Sequence, residues 1–254
     1  MACQIFEPYG TAGLWVGDNR VIREGSLVFP FIQDEDSVGL LDFQGEWDDR
    51  DAGEFHLGLG YRTFLDPYWI FGTYIYYDLI ATEHSNVFHQ GRIGLEMLTL
   101  NWDFRFAWIF PETGSQGTTA TSGISNGTVV TRNSRERAYG GVEAEIGHRF
   151  LNWGWNDCFE ARWYLGGYYF ENSAQGFPSF GGPRGRLELR MYDLGWFGEQ
   201  SRLELGVETM YDRLREGQIA ATIQVRIPFG ARGTRDVLSP MRRRLIDPLR
   251  YDIQ

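Results

Sequence analysis

The feature that most constrains this chain is an alternation of period two, sustained over segments long enough to cross a bilayer. In Asn101–Phe110 (NWDFRFAWIF), Trp102, Phe104, Phe106, Trp108 and Phe110 share one face, and Asp103, Arg105, Ala107 and Ile109 share the other. In Gln218–Phe229 the apolar side is Ile219, Ala221, Ile223, Val225, Ile227 and Phe229, opposite Thr222, Gln224 and Arg226. A helix cannot sort residues in this way; a strand must. Ordinary strands have about 5–6 residues, whereas about 9–11 are needed to cross a membrane at a tilt. The pattern predicts about twelve strands, near 12–18, 26–33, 37–46, 54–63, 67–79, 87–98, 101–110, 137–149, 158–171, 184–192, 201–212 and 217–229.

The spacing of these segments carries a topology. With the first strand rising, the two longest connections, 111–136 and 172–183, fall at one end, and the other end has mostly short turns. Outer-membrane barrels have short periplasmic turns and longer extracellular loops, and an even strand number returns both termini to the periplasmic side. The expected fold is therefore an all-β, antiparallel, up-and-down transmembrane barrel. Residues 1–25 read as an N-terminal segment with a possible first strand, 26–230 as the barrel and 231–254 as a post-barrel linker. The Gly/Ser/Thr-rich run 111–136 shows no period and no apolar face, and is expected to be a disordered extracellular loop.

Composition supports the same class. Aromatic residues make up 16% of the chain and 32 residues are glycine, against an average glycine usage of about 7%. The absence of about 18 consecutive apolar residues rules out a spanning helix but not barrel strands, whose signal is weak in each segment. A net charge of −10 argues against binding nucleic acid. The start, MACQIFEPYG, has no basic region followed by an apolar run. An outer-membrane protein needs such a signal, so a mature or trimmed form is expected.

With the apolar face outward, toward outer-membrane lipids, the inner face becomes charged. Arg62, Arg92, Glu96, Arg105, Glu143, Glu145, Glu160, Arg162, Arg186, Glu188, Arg190, Arg202, Glu204 and Glu208 all fall on it, with signs interleaved closely enough for cross-strand pairs. A soluble sandwich or lipocalin would show the reverse. A water-containing lumen is expected to remove most of the desolvation cost of these charges. Outward rings include Trp69, Trp102, Phe104, Phe106, Trp108, Trp163 and Phe229, many at strand ends where an aromatic girdle would lie. Inward glycines (Gly58, Gly60, Gly72, Gly94, Gly166 and Gly206) read either as relief of twist or as space for something to pass.

No catalytic, metal or cofactor constellation emerges. His56, His84, His89 and His148 have no metal-ligand spacing and read as solvated positions, although His56 could face the lumen. Cys3 and Cys158 are expected to be free thiols. GLGYR at 58–62 opens no helix and so is no nucleotide fingerprint.

The order of several motifs resembles the β-domain of the inverse autotransporters, the intimin and invasin family of bacterial adhesins. The motifs are LLDFQGEWDDRDAGEFHLGLGYRTF at 40–64, WIFGTYIYYD at 69–78, GRIGLEML at 91–98 and LNWDFRFAWIFPETG at 100–114. YLGGYYF at 164–170, GPRGRLELR at 182–190 and RIPFG at 226–230 resemble later strands of that domain, and LIDPLRYDIQ at 245–254 the segment leaving it. Tyr74 stands where the family usually has Asn, and Ile75-Tyr76-Tyr77-Asp78 replaces its aromatic-Asp ending. The resemblance implies a twelve-stranded barrel, inserted by the outer-membrane assembly machinery, that anchors an adhesin and passes a C-terminal passenger through its lumen. No passenger follows the last strand, so either one domain of a longer protein or a barrel without cargo is expected. The rival readings are a passive porin-like channel, an outer-membrane barrel enzyme and a soluble β-protein.

The tail carries the last expectation. Ala231–Gln254 contains Arg232, Arg235, Arg242, Arg243, Arg244 and Arg250 against Asp236, Asp247 and Asp252, a formal +3 on an acidic chain. Its charge and reach suit re-entry into the lumen, since roughly nine extended residues cross a core of about 30 Å. A flexible basic terminus is the alternative reading.

Overall fold

A computed structural model describes residues 5–18, 20–126, 128–171, 176–229 and 238–249. Strands β1 (Tyr9–Gly17), β2 (Val21–Gln33), β3 (Ser37–Asp48), β4 (Gly53–Asp66), β5 (Trp69–Ala81), β6 (Val87–Leu98) and β7 (Trp102–Pro111) follow one another as hairpins. Four short strands come next: β8 (Gln116–Gly117), β9 (Ser122–Asn126), β10 (Val129–Arg132) and β11 (Arg135–Ala138). The chain then resumes the barrel with β12 (Gly140–Trp153), β13 (Phe159–Glu171), β14 (Phe180–Tyr192), β15 (Arg202–Asp212) and β16 (Glu216–Pro228). The twelve long strands close in the order β1-β16-β15-β14-β13-β12-β7-β6-β5-β4-β3-β2, all antiparallel.

The barrel begins earlier than residue 26. β1 closes the seam, paired with β16 from Tyr9↔Pro228 to Gly17↔Ala220 and with β2 on its other side. Its glycines, Gly10, Gly13 and Gly17, blur the alternation that marks the other strands. β1 begins and β16 ends at one rim, here the near rim, which also carries the turns at 34–36, 67–68, 99–101, 154–158 and 193–201.

The connection between β7 and β12 is not the disordered loop that its composition predicts. It folds as a four-stranded antiparallel sheet in the order β8-β11-β10-β9 at the far rim. The reason is a short apolar core that its polar flanks conceal. Val130 and Tyr139 pack with Ile109, Tyr168, Phe170, Phe180 and Met210, and Val129 and Ala138 pack with Ile80 and Phe88. Buried Glu136 holds this sheet to the rim by accepting from Thr82 Oγ1 (2.8 Å) and Asn86 Nδ2 (2.7 Å). Thr128 Oγ1 donates to Gln90 Oε1 at 3.0 Å on the neighbouring strand.

Residues 238–249 turn back inside the barrel at the near rim. Ser239 caps a single helical turn, α1 (Pro240–Arg243), by accepting from the Arg242 amide, with Pro240 in the first turn. A 3-10 turn over Arg244–Ile246 follows. Leu238, Leu245, Ile246 and Leu249 fill an apolar patch on the inner wall made by Val28, Val38, Leu40, Ile70 and Leu98. Phe6, fully buried, joins that patch from the N-terminal side, where the Ile5 and Phe6 amides donate to Gln33 Oε1. The re-entrant tail thus holds for 238–249, whereas Arg232, Arg235, Asp236, Arg250, Asp252 and Cys3 lie outside the described residues. Cys158 is a free thiol.

Candidate functional site

Alternation along each strand separates two surfaces. Trp69, Trp102, Phe104, Phe106, Trp108 and Phe229 are exposed on the outer face and Trp163 is half-buried there. Trp102 stacks on Phe104 and meets Trp163 edge-on, and Trp69 stacks on Phe104, so these rings form one patch near the near rim. Every one of the fourteen charged positions expected inside is buried or half-buried on the opposite face.

These charges are paired, as the interleaving of their signs on consecutive strands predicts. Arg62 meets Glu96 at 2.7 Å, and Glu96 meets Arg105 at 3.3 Å. Arg105 reaches Glu145 at 3.5 Å, Glu145 meets Arg186 at 2.9 Å, and Arg186 meets Glu188 at 2.8 Å. Glu188 holds Arg190 at 2.7 Å, which also reaches Glu160 and Glu204, both at 3.4 Å. Glu160 holds Arg162 at 2.9 Å and Glu204 holds Arg202 at 3.2 Å. Arg92–Glu143 (3.0 Å) and Arg184–Glu208 (2.5 Å) form further pairs. Burial of such ions is tolerated only when geometry and hydrogen bonds offset desolvation, and breaking one pair costs about 3–5 kcal/mol.

The tail completes the network. Arg244 contacts both Asp103 and Asp247. Asp103 also holds Arg162 at 3.2 Å and accepts from Tyr164 Oη at 3.1 Å. Asp247 reaches Arg202 at 3.1 Å and Arg190 at 3.4 Å. Burial alone would push the Asp247 carboxyl up, but the guanidinium groups of Arg244, Arg190 and Arg202 outweigh it and hold the group well below the ordinary carboxylate range. Arg62 donates to the carbonyls of Leu245 (3.1 Å), Asp247 and Pro248 (3.3 Å). The Ile246 carbonyl accepts from Tyr9 Oη at 3.1 Å and Arg226 Nη1 at 3.0 Å, on the two strands that form the seam. Of the three linker arginines singled out from sequence, Arg243 and Arg244 are buried, with Arg243 on Asp193 at 2.7 Å, and Arg242 is half-buried.

The inward glycines do not hold open space. A Cβ on Gly58 or Gly94 would overlap the rings of Tyr76 or Tyr74, and one on Gly60 would overlap Leu249 of the tail. Gly72 lies against Glu96 and Arg62, Gly206 against Thr222, and Gly166 against the β12 backbone. His56 is fully buried and faces the lumen, not solvent. Above the tail a cavity remains, lined by Thr11, Glu24, Ser26, Asp42, Gln44, Arg186, Glu204, Glu208 and Gln224, with Pro248 and Leu249 as its floor. Sequence reasoning did not single out Asp42, Asp78, Asp103, Tyr164 and Arg226 as site residues; for each, the inward parity shared with the chosen charges was the available signal.

No family model and no curated protein matches the chain. Solved structures do. A membrane-protein structure from work on the mechanism of in-meso crystallization is 16% identical, with 96% of each chain covered and a TM-score of 0.63. NanC porin is 9% identical over 88% of this chain and 100% of its own, with a TM-score of 0.53. KdgM porin is 9% identical over 87% and 99%, with a TM-score of 0.51. These likenesses establish the fold, a twelve-stranded barrel of the outer-membrane type. An exposed apolar outer face and a charged interior are what such a barrel requires in lipid, and the chain is a bacterial outer-membrane protein.

Proposed function

We propose that this barrel anchors and exports its own C-terminal segment, as the resemblance to the inverse autotransporters implies. The observation that carries the reading is the course of residues 238–249. The Leu238 carbonyl accepts from Asn156 in the near-rim turn, Arg243 meets Asp193 in the next turn, and Leu249 lies over Gly60 in mid-strand. The chain thus climbs from the periplasmic rim toward the extracellular one, on a wall shaped to receive it. A channel that merely needed closing has no reason to direct the chain outward.

The experiment is surface labelling. A short epitope is appended after Gln254 and the cells are probed with antibody, intact and permeabilised. Export predicts labelling of intact cells; labelling only after permeabilisation contradicts it.

A second reading, a passive channel, is favoured by the fold shared with the NanC and KdgM porins and by the polar cavity above the tail. It predicts steady conductance of the unaltered barrel in planar bilayers.

A further inference from the structure

At the near mouth, a short stretch of chain is held through its backbone by two side chains. Residues 5–7 lie between Gln33, the last residue of β2, and Gln200, in the turn before β15, and so bridge the seam where β1 begins and β16 ends. Gln33 Oε1 accepts from the Ile5 amide at 3.0 Å and the Phe6 amide at 2.8 Å, and its Nε2 donates to the Phe6 carbonyl at 3.1 Å. Gln200 Oε1 accepts from the Glu7 amide at 3.2 Å, and its Nε2 donates to the Ile5 carbonyl at 3.1 Å. A carboxamide carries both an acceptor and a donor group, so the two glutamines do for this stretch what a neighbouring strand does in the barrel. Phe6 anchors it, with its ring fully buried in the apolar patch that also seats Leu245 and Ile246.

Gln200 also connects this stretch to the tail. It is buried, and its backbone is left-handed (φ 65°), a conformation that favours glycine. The backbone therefore gives no reason for a glutamine there, whereas the side-chain bonds do. The Gln200 carbonyl accepts from Arg226 Nε at 3.0 Å, and Arg226 Nη1 donates to the Ile246 carbonyl at 3.0 Å. Arg226 lies over the Tyr9 ring, 5.0 Å from its centroid, and Tyr9 Oη donates to the same Ile246 carbonyl at 3.1 Å. One carbonyl of the tail is thus held by two groups: one is placed by the Gln200 turn, the other follows directly on the stretch that Gln200 clasps.

We infer that residues 5–7 are a strap that locks the tail in the lumen. The seated strap fixes Gln200 and Tyr9, these fix Arg226 and the Ile246 carbonyl, and Phe6 completes the apolar seat. The tail leaves that seat only after the strap has left its own. A coupling of this kind is reciprocal, so a seated tail also holds the strap, by the same factor. The inference stands whether the tail is exported or closes a channel, because what the strap locks is the seated tail.

The test is cysteine labelling of the refolded full chain in neutral detergent, with Cys3 and Cys158 replaced by serine. Ile246→Cys, at a fully buried position, reports on the tail, and Ile5→Cys, in a separate chain, reports on the strap. Both keep the backbone groups that make the bonds. A water-soluble maleimide should label Ile246→Cys slowly in the parent background and about tenfold faster with Gln33→Leu or Phe6→Ala. Gln33→Glu, which keeps the acceptor and loses the donor, should fall between. Gln200→Gly should also speed labelling, at a Tm close to the parent's, because glycine suits the left-handed backbone and leaves the carbonyl that holds Arg226 in place. Asp247→Asn, which loosens the tail, should raise labelling of Ile5→Cys. Unchanged labelling of Ile246→Cys in folded Gln33→Leu and Gln200→Gly barrels overturns the proposal. So does faster labelling confined to variants whose Tm falls, which would make the strap a contributor to general stability, and so does a strap indifferent to Asp247→Asn.

Discussion

Asp247→Asn removes one charge from the centre of the tail's attachment while keeping its shape. The carboxylate meets Arg202 at 3.1 Å, Arg190 at 3.4 Å and Arg244 closer still. Hydrogen bonds to charged groups contribute about 1.5–3 kcal/mol each, but Arg190 and Arg202 keep Glu188 and Glu204. The loss should therefore fall near the lower end of the range for a broken buried pair, about 3 kcal/mol. At 1.4 kcal/mol per decade this raises the undocked population roughly a hundredfold. In planar bilayers the variant should show frequent large openings where the parent shows rare ones. The depressed carboxyl also sets a pH window. Its contribution is complete above the unfolded value of about 3.9 and is lost only as pH falls through the lower folded value, so the parent's latch should persist at pH 4. Unchanged openings in Asp247→Asn, with the folded barrel intact, would refute the reasoning.

Three further outcomes follow from the packing. Phe106→Arg on the outer face should destabilise the barrel by about 2–4 kcal/mol in heat-modifiability assays; Ser26→Arg, which lines the cavity, should be tolerated. Ala107 is no suitable inner control, because it is packed in the apolar inner cluster. Gly94→Ala should cost about 1–3 kcal/mol by chemical denaturation, since the new methyl overlaps the Tyr74 ring. Protease added to intact cells should spare residues 128–139, and Val130→Asp, which puts a charge in their core, should expose them to cleavage.

Much of this was legible in the sequence because a barrel strand obeys a simple parity. Trp102 to Phe110 alternate so clearly that the outer and inner faces of β7 follow at once. Parity also placed the fourteen charges inside, but which charge meets which depends on register, and nothing local fixes that. Register alone brings Glu24, Glu46 and Glu54 into one row. Val38 and Leu40 share the inward parity of Asp42, so an apolar patch low on the inner wall was readable; the charge and reach of the tail pointed into the lumen, but not to Leu238, Leu245, Ile246 and Leu249 as the side chains that fill that patch. The far-rim sheet escaped notice for a different reason. Val129, Val130 and Tyr139 are too few to make a period amid glycine, serine and threonine, and only the barrel rim completes their core.

The claim on which the account turns is that the C-terminal segment lies inside the barrel, and cysteine cross-linking tests it most directly. Cysteines replace Gly60 and Leu249, which are in contact across the lumen, in a background without Cys3 and Cys158. Oxidation of the folded barrel in its membrane should join the two in high yield, with no product when Leu249→Cys is paired with a cysteine at outward Leu59. Failure of the Gly60 pair to join, while the barrel remains folded, would contradict the account.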